Sequence, residues 1–132
     1  ALKQNYPFVV VDNEAGMEHM SRLVTQDVDV LYVISDPTPR GIMTVSRILS
    51  IIGELGLNIR KTAVIVNRVE ARNEDALLRA ASERSIEITG TVRNDEALIQ
   101  SDGAGNTIFE LDGTSGALSD AYAIFQKTMG EL

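Results

Sequence analysis

The sequence predicts an α/β domain built on a mostly parallel sheet with helices on both faces. Three observations carry this prediction. Four short β-branched runs recur along the 132 residues, each followed by a polar break and then a stretch with helical spacing, the rhythm of βαβ units. The first three runs are continuous rather than alternating, as in strands covered on both faces. The apolar residues are mainly Val, Ile, Leu and Ala, with aromatics only 5% of the chain, a mix suited to strands between helices.

The runs are Phe8 to Val11, Val30 to Ile34, Ala63 to Val66 and Ile86 to Val92. The fourth alternates and so belongs nearer a sheet edge. Between the second and third, Ile42, Val45, Ile48, Leu49, Ile52 and Leu55 recur at steps of three and four, one apolar helical face that stops at Gly56. Asn73, followed by Glu74 and Asp75, reads as an N-cap with acids in the first turn, opening a helix through Leu77, Leu78 and Ala81. Asn94, Asp95 and Glu96 repeat that signal before Leu98 and Ile99. A glycine-rich loop from Asp102 to Gly116 carries the apolar patch Ile108 to Leu111, and Leu118, Ala121, Tyr122, Phe125 and Met129 close the chain at helical spacing. With no repeat, linker or low-complexity tract, residues 1–132 read as a single domain.

Composition excludes several classes of function. A chain of this length that is 44% hydrophobic has enough apolar material for a core, so disorder is excluded. There is no Cys, which rules out disulfides and thiolate metal sites and leaves a cytoplasmic setting as the default. The formal net charge is -7 and the twelve Lys and Arg form no run, which argues against a nucleic-acid partner. A membrane helix needs about 20 apolar residues, and Asp36, Arg40 and Arg47 interrupt the richest stretch.

Open parallel sheets bind ligands at the carboxyl ends of their strands, and the residues just after each run are polar. They are Asp12-Asn13-Glu14-Ala15-Gly16, Ser35-Asp36-Pro37-Thr38-Pro39, Asn67-Arg68 and Arg93-Asn94-Asp95, expected to converge on one rim. Asp12, ending an apolar strand, is placed to hold a hydrated Mg²⁺, which takes only one or two protein carboxylates; a helix N-cap explains it about as well. Gly16, four residues on, allows a backbone amide to approach a phosphate closely. Asn67 is suited to a purine edge, and equally to an Asx-turn closing a strand.

Taken in order, these segments resemble the CooC-type carbon monoxide dehydrogenase accessory ATPases of the MinD/ParA (SIMIBI) class of P-loop NTPases. Val-Val-Val-Asp-Asn-Glu-Ala-Gly-Met-Glu-His-Met-Ser-Arg, residues 9–22, is similar to the Walker B and switch II segment. Ile34 to Thr38, the helix from Ile42, Val64 to Val69, and Gly90-Thr91-Val92-Arg93-Asn94-Asp95 are similar, in order and spacing, to the remainder of the domain, the last to its G-x-h-P-x-D loop. The resemblance implies a three-layer, Rossmann-like P-loop NTPase core. It implies ATP and Mg as cofactors of the complete protein, with Asp12 holding Mg²⁺ through water and Gly16 sensing the γ-phosphate. It also implies that Asn67 contacts adenine while Arg68 and the loop Arg93 to Asp95 wall the base pocket. Arg93 stands where the family has proline.

The family's phosphate loop is not in this sequence, since none of the ten glycines belongs to a G-K-[ST] motif. The chain therefore reads as the C-terminal portion of such a domain, without its P-loop strand and with no catalytic residue of its own. Hydrolysis of ATP by this chain alone is not expected. In the parent architecture the P-loop strand lies beside the strand at Val30 to Ile34, so its loss implies an exposed sheet edge and self-association, with a homodimer expected. The resemblance further implies a role in nickel insertion, with carbon monoxide dehydrogenase as client. A MinD/ParA-type partner-binding module without a metal role is the alternative. A receiver-like signalling domain fits less well, because Asn67 occupies the phosphoacceptor position and no suitable Lys follows.

Overall fold

The computed structural model describes residues 5–13, 27–111 and 115–130. Three strands form one parallel sheet, β1 (Val28–Ser35), β2 (Ile59–Val69) and β3 (Gly90–Arg93), in the order β1-β2-β3. Helix α1 (Pro39–Leu55) joins β1 to β2, α2 (Ala71–Ser82) joins β2 to β3, and α3 (Glu96–Gly103) and α4 (Gly116–Met129) follow β3. A 3₁₀ turn at Ile108–Glu110 lies in the loop that the sequence marks as glycine-rich.

Layering follows from the connections. Sequential parallel strands joined by right-handed crossovers place both connecting helices on one face. On that face Val33 of β1 and Val64 and Val66 of β2 pack with Ile42 and Val45 of α1 and Leu77, Ala80 and Ala81 of α2. Ile42 and Leu77 are fully buried, each contributing about 1.5–3 kcal/mol relative to exposure. Side chains one position along point to the opposite face, where α4 lies. There Tyr32 of β1 meets Phe125 edge to face at 5.1 Å, and its hydroxyl bonds the buried Thr128 Oγ1 at 2.6 Å. The result is the three-layer α/β sandwich the sequence predicts.

Local chemistry sets the helix ends. Thr38 caps α1 by accepting from Gly41 N, Pro39 occupies the first turn, and Gly56 ends the helix at φ +59°. Helix α2 starts three residues earlier than the Asn73 signal suggests. Glu70 is its N-cap and Asn73 sits in the first turn, where its Oδ1 accepts from Glu70 N at 3.0 Å. At α3 the start lies one residue later instead, the helix being capped by Asp95 rather than Asn94.

Two strand expectations need correction. The fourth run begins as a strand only at Gly90, although Thr89 already bonds β2 through Val64 on both its N–H and its hydroxyl. The first run, Phe8 to Val11, is not a strand and joins no sheet among the described residues. It lies exposed, with Val10 at 92%. Continuous apolar sequence is legible as strand-forming, but a strand also needs a partner edge with free hydrogen-bonding groups.

Candidate functional site

A cleft of about 300 Å³ opens at the carboxyl ends of β2 and β3, and the sequence accounts for its geometry. Near its end β2 carries a bulge, with pairing to β3 shifted between Val66 and Val69. The two residues inside it are Asn67 and Arg68. Asn67 Oδ1 accepts from Arg68 N at 2.9 Å, one residue on rather than the two of an Asx-turn. Arg68 takes φ +58°, a left-handed conformation that costs a side-chain-bearing residue about 1–2 kcal/mol. A bulge re-aims side chains, and here both Asn67 and Arg68 line the cleft.

Because the penalty belongs to the Cβ, Arg68→Gly is expected to leave stability unchanged or raise it by up to about 1 kcal/mol. Arg68→Val is expected to lower it by about 1–2 kcal/mol. Urea titration of the two variants checks the sign.

The opposite wall comes from the loop after β3, where Asp95 joins two helix starts. Its Oδ1 accepts from Ala97 N at 3.0 Å and Leu98 N at 3.4 Å, capping α3. Its Oδ2 accepts from Ala117 N at 3.1 Å and Ser115 Oγ at 2.7 Å in the first turn of α4. The Ala117 N–H and then the Ser115 hydroxyl do most to hold its carboxyl below the usual carboxylate range, against the opposing effect of partial burial. Arg93 supplies a second tie to α4. Its Nε and Nη2 donate to Asp120 Oδ2 and Oδ1 at 2.8 and 2.7 Å, and its backbone N–H also donates to Oδ2. This fork holds the Asp120 carboxyl below its ordinary value and raises the guanidinium above its own.

Of the residues predicted from sequence, Asn67, Arg68, Arg93 and Asp95 come together on this one cleft. Asp12 is exposed and not among its lining residues, and Gly16 lies outside the described residues. The expected convergence of all four strand ends is likewise corrected. The segment after β1 is absorbed in local caps, with Asp36 Oδ1 accepting from Thr38 Oγ1 at 2.6 Å, and only the ends of β2 and β3 form the cleft. Sequence reasoning missed the apolar wall of Leu98, Ile99 and Ile108, and Asn106 at the rim. Ile108 sits in the apolar patch singled out within the glycine-rich loop, but nothing in the pattern indicated that the patch turns back on α3.

Apolar walls with a few polar groups at the rim suit a flat heterocycle. The volume is at the lower end of the roughly 300–1,000 Å³ of small-molecule sites, room for a base-sized group. Among the described residues no cluster of three or more His, Cys, Asp or Glu is disposed to hold a metal ion. A hydrated Mg²⁺ needs only one or two carboxylates, so Asp12 fits that role chemically as a lone ligand. No described helix is long and apolar enough to cross a membrane.

The fold and site define a partial Rossmann-like α/β core, the class to which the MinD nucleotide-binding domain belongs. The MinC:MinD cell division protein complex of Aquifex aeolicus matches with a TM-score of 0.74 at 19% identity, over 99% of this chain and 55% of that one. MinD of the same organism matches with a TM-score of 0.62 at 20% identity, over 79% of this chain and 45% of that one. At these identities the likeness establishes the fold.

Sequence relatives are more particular. An uncharacterized ATP-binding protein of Methanocaldococcus jannaschii is 34% identical over 110 residues, 83% of this chain and 44% of that protein. A second from the same organism is 36% identical over 103 residues, 76% of this chain and 38% of its own length. The carbon monoxide dehydrogenase accessory protein CooC of Rhodospirillum rubrum is 26% identical over 103 residues, 78% of this chain and 38% of that protein. The relatives are thus ATP-binding proteins of the MinD and CooC type, and the chain spans less than half the length of each. No family model matches the sequence.

Proposed function

We propose that this chain carries the base-binding half of a nucleotide-dependent ATPase of the MinD/CooC type, with adenine held in the cleft between the β2 bulge and the loop after β3. The observation that supports this reading is the grouping of Asn67, Arg68, Arg93 and Asp95, drawn from two distant segments, around one cleft with an apolar wall. In the complete protein the nucleotide is ATP with Mg²⁺. The metal supplies charge neutralisation at the phosphates, and Asp12 is the residue of this chain that would hold it through water. Asn67 retains its Nδ2 group as a donor toward the base edge. Leu98, Ile99 and Ile108 exclude water from the ring faces, and Asp95 fixes the wall by joining α3 to α4. Without a phosphate loop in its sequence, the chain by itself binds ATP weakly and does not hydrolyse it.

The test separates base recognition from phosphate binding. Titrating the 132-residue chain with adenosine is expected to shift the amide resonances of residues 67–68 and 93–98, with affinity no tighter than about millimolar. ATP is expected to bind about as weakly. Shifts clustered elsewhere would sink the base-cleft reading. Clear micromolar ATP binding by calorimetry would overturn the requirement for a phosphate loop.

For the finer role, the reading we favour is nickel insertion into carbon monoxide dehydrogenase by the complete protein in the cytoplasm, supported by the CooC relative and by the resemblance of residues 9–22. The complete protein is then expected to act as a homodimer. Its deletion is expected to leave carbon monoxide dehydrogenase nickel-deficient, and unchanged nickel content would favour a MinD/ParA-type partner-binding role instead.

A further inference from the structure

The loop that walls the cleft after β3 is a thin partition. On one side of it lies the cleft, and on the other a second hollow of about 280 Å³ bounded by Glu70, Glu74, Thr91 and Asp120. Among the described residues Arg93 alone lines both. A segment with open space on two sides has little packing to fix it, so its position is set by the hydrogen bonds it makes. Toward β2, Asn94 donates its N–H to Val69 O at 2.9 Å and its Nδ2 to Glu70 Oε1 at 3.2 Å. Toward α4, the tie besides the Asp95 cap is that of Arg93 to Asp120. One carboxylate accepts from the backbone N–H, Nε and Nη2 of the same residue, at 3.0, 2.8 and 2.7 Å, and so holds main chain and side chain together.

Gly116, the first residue of α4, leaves the room this arrangement needs. A Cβ there would lie 2.7 Å from Arg93 Cδ and 3.0 Å from its Nε, so the arginine side chain lies directly over the helix start. The backbone itself does not call for glycine at this position, because Gly116 is not left-handed and alanine is the better helix former. An alanine could be admitted by moving the arginine aside, and that movement breaks the fork. Neither Gly116 nor Asp120 lines the cleft.

We infer that Asp120 and Gly116 are positioning residues of the cleft, acting through Arg93 to set where the β3 loop stands relative to α4. The guanidinium is committed to Asp120 and holds the wall in place instead of contacting the ligand. This rests on the base-cleft reading and adds to it two residues of α4 that touch no ligand. Because the Arg93 side chain is 62% exposed, the ion pair contributes little to global stability. Its effect is local, on how well the cleft is formed before a base enters.

The experiment titrates adenosine into five proteins, following amide resonances, and records the thermal melting of each. They are the wild-type chain, Gly116→Ala, Asp120→Asn, Arg93→Ala and the double variant Gly116→Ala with Arg93→Ala. Each single variant is expected to weaken adenosine binding at least about threefold, with little change in Tm. In the double variant the affinity is expected to equal that of Arg93→Ala, since the added methyl then meets no arginine. Wild-type affinity in Gly116→Ala or in Asp120→Asn overturns the inference, whatever happens to Tm. So do losses that multiply in the double variant, because the glycine would then act otherwise than through Arg93. A wild type that binds no adenosine overturns the base-cleft reading and this inference with it. A wild type that binds, with variants that bind equally well, overturns the inference alone.

Discussion

Replacing Gly90 with alanine is expected to destabilise the protein by about 1–3 kcal/mol, although the change adds one methyl group. A Cβ at this position would lie 2.5 Å from Ile124 Cγ1 and 2.6 Å from its Cδ1, closer than atoms in a packed interior approach. Gly90 opens β3, and Ile124 is a buried residue of α4 facing it. The helix rests against the backbone of the sheet at this point, so the added carbon must move either β3 or α4. Ile124→Ala alone is expected to cost about 2–4 kcal/mol through the cavity it leaves. The double variant is expected to be more stable than the sum of the two losses implies, because the new methyl occupies part of that cavity. Urea unfolding of all four proteins measures the coupling, and strict additivity would show that the two sites do not touch.

Asp95 is the second position where a small change has a large effect. Asp95→Ala removes the cap of α3 and the tie to α4 together, and a fall of several degrees in Tm is expected, along with loss of the adenosine shifts. Asp95→Asn is expected to fall between alanine and wild type. An amide oxygen still accepts from Ala97 and Leu98, but its NH₂ group meets the Ala117 N–H donor to donor. The effect depends on pH in a defined direction. The carboxyl is held below its ordinary value in the folded state, so the unfolded chain takes up its proton first as pH falls. Its stabilisation is complete above the ordinary Asp value of about 3.9 and is lost as pH drops through the lowered folded value. The Tm difference between wild type and Asp95→Asn should therefore be constant from neutral pH down to about 5 and shrink below about 4. A difference that grew on acidification would contradict the double-cap role.

How much of this was legible in the sequence varies from residue to residue. The runs at Val30, Ala63 and Ile86 led to three strands in a parallel sheet, because continuous β-branched sequence bounded by turn residues has few other stable uses. Gly56 ended α1 as its left-handed conformation requires. At Asn73 and Asn94 the cap signal was real but misplaced by one to three residues, since Glu70 and Asp95 also carry cap-forming oxygens and the choice depends on how the preceding strand ends. Phe8 to Val11 shows where pattern reading stops, because a strand is a relation between two segments and only one of them is visible in a local window. The cleft was legible in its polar members, which follow strand ends. It was not legible in the pairing of Arg93 with Asp120, which spans 27 residues, or in the wall from Leu98 to Ile108, which depends on the path of an irregular loop.

On the base-cleft proposal, the double cap also bears on which end of a ligand the cleft would receive. A helix start carries about half a positive charge and free amides, and where it stands open it attracts phosphate. Here α3 and α4 both turn their first amides toward the same carboxylate, so the two positive ends are already neutralised by an anion built into the chain. The two helix starts consequently add little electrostatic pull on phosphate. On the base-cleft proposal, a nucleotide would enter with its uncharged heterocycle inward and its charged tail directed out toward the other side of the strand ends.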